Sequence, residues 1–121
     1  MGFEFGNNSA ILRLEIDGQE YSAVLDRPEF IDFWRNNYGR FSELAKADNP
    51  NMARDVVTFG VDMVTALLGV EVSRQLFEGR EVSLTEMAAL IGYIMGEIEN
   101  QGLNAKLNDM TAKYGSASIL R

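Results

Sequence analysis

The chain opens with alternating apolar and polar residues, a pattern that predicts a β-hairpin near the N-terminus. Residues 11–16, ILRLEI, place their apolar side chains on one face of a strand, and residues 19–25, QEYSAVL, form a second strand. Between the two strands lies Asp17-Gly18, the preferred pair for a tight type I′ turn. The sequence therefore predicts two antiparallel strands with one apolar face.

The register of this hairpin depends on the length of its turn. A two-residue turn sets Leu14 opposite Tyr21 and Glu15 opposite Glu20. The pair of glutamates is mildly unfavourable, so a longer turn remains open. Because a lone hairpin is marginally stable in water, its apolar face must pack on the helices or on the sheet of another chain.

Apolar residues at three- and four-residue spacing predict helices over the rest of the chain. A first helix starts at Pro28 and ends before Asn49, with a bend or break at Gly39, because glycine weakens a helix interior. Ser83 and Glu86 form a capping box that starts the last main helix. The other predicted helical segments are 51–68, 70–77 and, with weaker spacing, 103–114.

The predicted fold is one domain that is mainly α with a small β part, an α+β fold. An N-terminal β-hairpin is followed by four or five helices packed as a small bundle, in a length typical of one domain. The predicted segments are a flexible lead-in (1–9), the hairpin (10–26), the helical region (27–114) and a flexible tail (115–121).

The first helix concentrates five aromatic residues, which are either core residues or part of an interface. Core packing is the default for such a stripe, but aromatic residues are also enriched in the cores of protein interfaces. The free edges of the hairpin are a second candidate, since a neighbour's strand could pair with them unless Arg13 and Glu20 protect them. The residues expected to contact a partner are Phe30, Trp34, Tyr38 and Phe41 of the helix, with Leu12, Leu14 and Tyr21 of the hairpin.

A stripe of small residues on the last main helix has two interpretations. Ala88, Gly92 and Gly96 follow one another at four-residue spacing. We expect them to let two helices pack closely within the domain, and a contact between subunits is the alternative.

The composition excludes several kinds of chemistry. The chain contains no histidine and no cysteine, so it offers no Ser-His triad, no nucleophilic thiol and no zinc-thiolate site. Carboxylates are the remaining acid–base candidates, and solvated helix faces account for them. No phosphate-binding glycine motif is present. These observations predict no catalytic residues, no cofactor, no metal and no small-molecule substrate.

Charge and hydropathy narrow the kinds of partner. The net charge is −7, and no run of Lys or Arg occurs, which argues against nucleic acid or an anionic membrane as a partner. No apolar stretch is long enough to predict a membrane span, and the N-terminus does not resemble a signal peptide. We therefore expect a cytoplasmic protein with a protein partner.

Two segments together resemble a known family. The hairpin segment IDGQEYSAVL and the later segment ALLGVEVSRQLFEGREVSL occur in an order that is similar to small proteins of phage and prophage tail modules, of the tail assembly chaperone type. The resemblance covers roughly residues 10–100. It implies a self-associating, mainly helical protein that binds the tape-measure protein during tail assembly, and it carries no catalytic residues. In the alternatives, the chain is a structural virion component or a small adaptor; a carboxylate-dependent enzyme ranks last.

Overall fold

The structure is a computed structural model, and it describes residues 10–37, 39–46 and 48–109. The predictions for the lead-in (1–9) and the tail (115–121) lie outside the described residues, as does Tyr38. Of the weak helical segment predicted over 103–114, residues 104–109 are helical.

The described residues form an antiparallel hairpin followed by helices, as predicted for a small, mainly helical α+β fold. The first predicted helix is divided into two at Gly39, whose φ of 79° ends one helix and begins the next. The elements are β1 (Ile11–Ile16), β2 (Gln19–Val24), α1 (Pro28–Asn37), α2 (Arg40–Leu44), α3 (Met52–Leu68), α4 (Val70–Phe77) and α5 (Leu84–Asn100).

The hairpin has the two-residue turn and the register that the sequence favours. Asp17 and Gly18 adopt φ values of 52° and 80°, as a type I′ turn requires. Leu14 pairs with Tyr21, and Glu15 pairs with Glu20. Both glutamates are exposed, so water screens the repulsion that left a longer turn open.

Helix α3 lies at the centre of the domain. It packs against α1, α2, α4 and α5, and also against β2. One continuous core joins these elements, with the hairpin's apolar face turned onto the helices. The fully buried large side chains are Leu12, Leu25, Phe30, Val56, Met63, Val64, Leu67, Met87, Ile91, Ile94, Ile98 and Leu107.

Helix α5 begins at the predicted capping box. The Glu86 N–H donates to Ser83 Oγ, and the Ser83 N–H donates to a Glu86 carboxylate oxygen, each at 3.1 Å. Just before it, Arg80 forms an ion pair with Asp17 at 3.0 Å. The connection between α4 and α5 is thereby held against the hairpin turn.

The glycines on α3 and α5 differ in what surrounds them. A Cβ at Gly60 would overlap Sδ and Cγ of Met87, so this glycine admits a side chain from α5. A Cβ at Gly92 or Gly96 would meet no described atom within 4 Å. The prediction that the stripe of Ala88, Gly92 and Gly96 packs two helices closely within the domain is therefore wrong for the described residues. Gly92 is exposed and Gly96 is half-buried, and neither receives a side chain from another described helix at the position of its Cβ.

Candidate protein interface

The aromatic residues of α1 and α2 gather around one ring of α3. The Phe33 and Phe41 rings lie 5.3 and 5.6 Å from the Phe59 ring, measured between centroids. Phe30 extends the cluster beneath them, with its ring 6.1 Å from that of Phe33. These distances are typical of attractive aromatic pairs. The turn at Gly39 makes this possible, because it redirects the chain so that two helices present a ring to the same partner.

An apolar groove opens over this aromatic cluster. Its volume is about 320 Å³, at the lower end of the range of ligand pockets in proteins. Met95 stands at its rim with 40% of its surface exposed, although the α5 periodicity predicts this residue inside the core. The described residues that line it are Phe33, Trp34, Asn37, Gly39, Phe41, Ser42, Phe59, Met63, Ile91 and Met95.

Two of the four predicted aromatic contact residues reach this groove. Trp34 forms part of its lining while only 6% exposed, and half-buried Phe41 contributes to the wall. Phe30 is fully buried below them, where it packs on Trp34 with ring centroids 5.9 Å apart. Phe30 therefore supports the groove and would touch a partner only if the domain opened. The prediction for Tyr38 falls outside the described residues.

The predicted hairpin contacts lie elsewhere. Leu12 and Leu14 are buried in the core, and Tyr21 is half-buried. Leu14 and Tyr21 line a more polar cleft, together with residues of α5 such as Tyr93. The structure thus separates the two predicted sets of contact residues into two regions.

Residues of α3 and α5 complete the groove, and they were not among the predicted contacts. Phe59 and Ile91 lie on helix faces whose spacing identifies them as core. Both are buried, at 7% and 1% exposure, and their periodicity indicates which way they point but not that they border an open groove. The concentration of aromatics in α1 was the sequence signal closest to this site.

Side chains of α5 and of Gln101, the residue that follows it, close the outer edge of β1. The Arg13 N–H donates to Gln101 Oε1 at 2.9 Å, and Gln101 Nε2 donates back to the Arg13 carbonyl at 2.7 Å. The Glu15 N–H donates to the Tyr93 hydroxyl at 2.8 Å. The amide of Gln101 therefore occupies the place that a neighbouring strand would take.

No titratable side chain of the described residues is fully buried. Ser73 is the one buried polar residue in the described part of the chain, and its hydroxyl is hydrogen-bonded to that of Thr65 at 2.8 Å. The backbone N–H of Ser83 holds the pKa of the exposed Glu86 carboxyl below its usual value, and the Arg27 side chain does the same to the pKa of Glu29. These shifts reflect a helix cap and a surface ion pair.

Metal-ligand clusters and membrane-spanning helices are both absent from the described ranges. Within them, no three or more acidic residues are grouped as metal ligands would be. None of the helices there is both long enough and apolar enough to cross a bilayer.

Comparison with known proteins adds no relative to this picture. No protein-family model, no curated protein and no solved structure matches the chain. The groove and the hairpin are therefore the features that indicate what the protein does.

Proposed function

We propose that this chain is a non-enzymatic binding protein that holds an apolar helical segment of another protein in the groove over Phe59. In the terms of its family resemblance, it is a cytoplasmic tail assembly chaperone, and the bound segment belongs to the tape-measure protein. The observation that carries the proposal is the groove itself, an apolar cavity of about 320 Å³ walled by aromatic rings.

The lining of the groove suits the side chains of an amphipathic helix. Such a helix presents apolar residues at three- and four-residue spacing, and these anchor in hydrophobic grooves. Met95 at the rim adds an adaptable side chain, which fits a protein that holds many similar segments of one long client.

The fluorescence of Trp34 can report directly whether a peptide occupies the groove. It is the chain's only tryptophan, and it lines the groove. The probe is a set of tryptophan-free helical peptides that together span the tape-measure protein of the same tail module. Binding in the groove shifts the emission of Trp34, and the titration gives a dissociation constant for each peptide.

A matched pair of variants distinguishes binding in the groove from binding elsewhere on the surface. Met95→Glu places a carboxylate at the apolar rim, while Val70→Glu adds the same charge on α4 at a residue that is 60% exposed and outside the groove lining. Met95→Glu should weaken peptide binding about tenfold or more, because the carboxylate must be desolvated. Val70→Glu should bind like the unmodified chain.

The outcomes distinguish the proposal from its competitors. If no peptide shifts the Trp34 emission, or if both variants bind alike, the groove is not the client site. If the protein is instead found in purified mature particles and binds tail tube subunits, it is a structural component of the virion.

A further inference from the structure

The walls of the aromatic groove are not equally anchored in the domain. Helices α1, α3 and α5 contribute Trp34, Met63 and Ile91, which are all buried in the core. Helix α2 contributes a fourth wall, and none of its residues is buried. Three walls are therefore fixed by the core, whereas the fourth lies on its surface.

A second cavity lies against α2. Its volume is about 300 Å³, and it shares Asn37 and Phe59 with the groove. Helix α2 lines the groove with Phe41 and lines the second cavity with Leu44. The same short helix therefore separates two cavities of similar size.

Few contacts with the described residues hold α2 in place. It has five residues, too few for a helix to be stable by itself. Its principal neighbour is α3, through the contact of the Phe41 ring with that of Phe59. No side chain of the described residues caps its N-terminus at Gly39, and Arg40 Nη1 lies 3.5 Å from Asn37 Oδ1 of α1. Elements with so few buried contacts open at a lower free energy than the core.

The side chain of Asn49 fastens the other end of α2 to α3. Its Nδ2 donates to the Leu44 carbonyl at 3.0 Å and to Asp55 Oδ2 at 3.3 Å. Leu44 is the last residue of α2, and Asp55 lies in the first turn of α3. Loss of this one amide would release the C-terminal end of α2 from α3.

We infer that α2 is a lid over the groove, hinged at Gly39 and latched by Asn49. Glycine accepts both signs of φ, so the chain can swing there without strain. When the lid opens, Phe41 leaves Phe59, and the two cavities join into one trough about twice as large as the groove. An amphipathic helix inserts several side chains into its groove and needs that length. The role of the client rests on the proposed function, whereas the opening is a property of the free chain.

Hydrogen exchange in the free chain tests the latch. The Ala45 N–H donates to the Phe41 carbonyl at 2.9 Å and reports on α2, while the amide of Val64, fully buried in α3, reports on the core. Asn49→Ala should accelerate exchange at Ala45 at least about fivefold relative to Val64, because hydrogen bonds of the closed lid are lost. Asn51→Ala is the matched control, since its side chain makes no cap bond with the described residues, and it should leave Ala45 unchanged.

A second substitution distinguishes a moving lid from fraying of the last turn of α2. Phe41→Ala removes the ring that rests on Phe59, so it should also accelerate exchange at Ala45. If only the last turn frayed, this variant would exchange no faster, because alanine favours the helix. That result, or equal exchange rates in Asn49→Ala and Asn51→Ala, would overturn the inference.

Spin labels measure the movement of the lid when a peptide binds. Because the chain has no cysteine, labels can be attached to Glu43→Cys on α2 and Glu99→Cys on α5, both at exposed positions. With a tape-measure peptide bound, the distance between these labels should increase, because α2 moves away from α5. The distance from Asn36→Cys on α1 to Glu99→Cys is the control and should stay constant.

Peptide affinity measures the free energy that the latch withholds from binding. Asn49→Ala should bind the peptide more tightly than Asn51→Ala, by about the factor that separates their exchange rates at Ala45. A bound peptide that leaves the label distance unchanged would overturn the lid while leaving the proposed function intact. If no peptide binds, the proposed function fails, and exchange in the free chain still decides whether α2 opens.

Discussion

The packing of α3 on α5 can be tested with one pair of identical substitutions. Gly60→Ala and Gly92→Ala each add a methyl group in the interior of a 17-residue helix. In both helices alanine is favoured over glycine by about 1 kcal/mol. The two variants differ in what the methyl group meets, so the difference in their stabilities isolates the packing.

The expected magnitudes follow from the surroundings of each glycine. At Gly92 the new methyl group lies in open space, and the free energy of unfolding should rise by about 1 kcal/mol. At Gly60 it overlaps Met87, which is fully buried. Overpacking of this kind costs about 1–3 kcal/mol. Gly60→Ala should therefore range from neutral to about 2 kcal/mol destabilising, and it should be 1–3 kcal/mol less stable than Gly92→Ala.

Urea unfolding followed by circular dichroism measures both values on the full chain. Repeating Gly60→Ala in a Met87→Ala background removes the overlapping side chain, so the penalty should vanish and the substitution should become stabilising. If Gly60→Ala stabilises the unmodified chain as much as Gly92→Ala does, the close approach of Met87 to α3 is refuted.

Three further predictions concern the cap of α5 and the closed edge of the hairpin. Ser83→Ala should lower the free energy of unfolding by about 1 kcal/mol in urea titrations, because it removes the acceptor for a first-turn N–H. The pKa of Glu86 in the folded protein lies below its ordinary value of 4.5. The stability that its carboxylate contributes is therefore present above pH 4.5 and is lost as the pH falls through the folded pKa. Glu86→Gln should make the free energy of unfolding depend less on pH over that acidic range. Gln101→Leu should expose the Arg13 amide, which would exchange faster in hydrogen-exchange NMR, and should raise aggregation by opening the edge of β1.

The features that the sequence predicted are those with a local cause. The Asp17-Gly18 turn, the alternation on both sides of it and the capping box at Ser83 each depend on residues close together in the chain. Gly39 divides the first helix because it adopts a left-handed φ of 79°, which other residues rarely accept. Local causes of this kind can be read without knowing the rest of the fold.

The features that the sequence did not predict depend on distant neighbours. Periodicity placed Met95 on an inner face, but no described element extends over it, so 40% of its surface is exposed. The same absence of a neighbour leaves Gly92 uncovered. Gln101 closes the edge at Arg13 across 88 residues of sequence. No spacing rule connects residues so far apart.

Helix α5 borders both the proposed groove and the closed edge of β1, yet its geometry allows the two to be tested separately. Tyr93 and Gln101 face the edge of β1, whereas Met95 faces the aromatic groove. Successive residues of a helix are rotated by about 100°, so Met95 points roughly 200° away from Tyr93. Met95→Glu should therefore leave the Arg13 and Glu15 amides protected while it weakens client binding. Loss of protection in that variant would mean that the groove and the closed edge of β1 are coupled through α5.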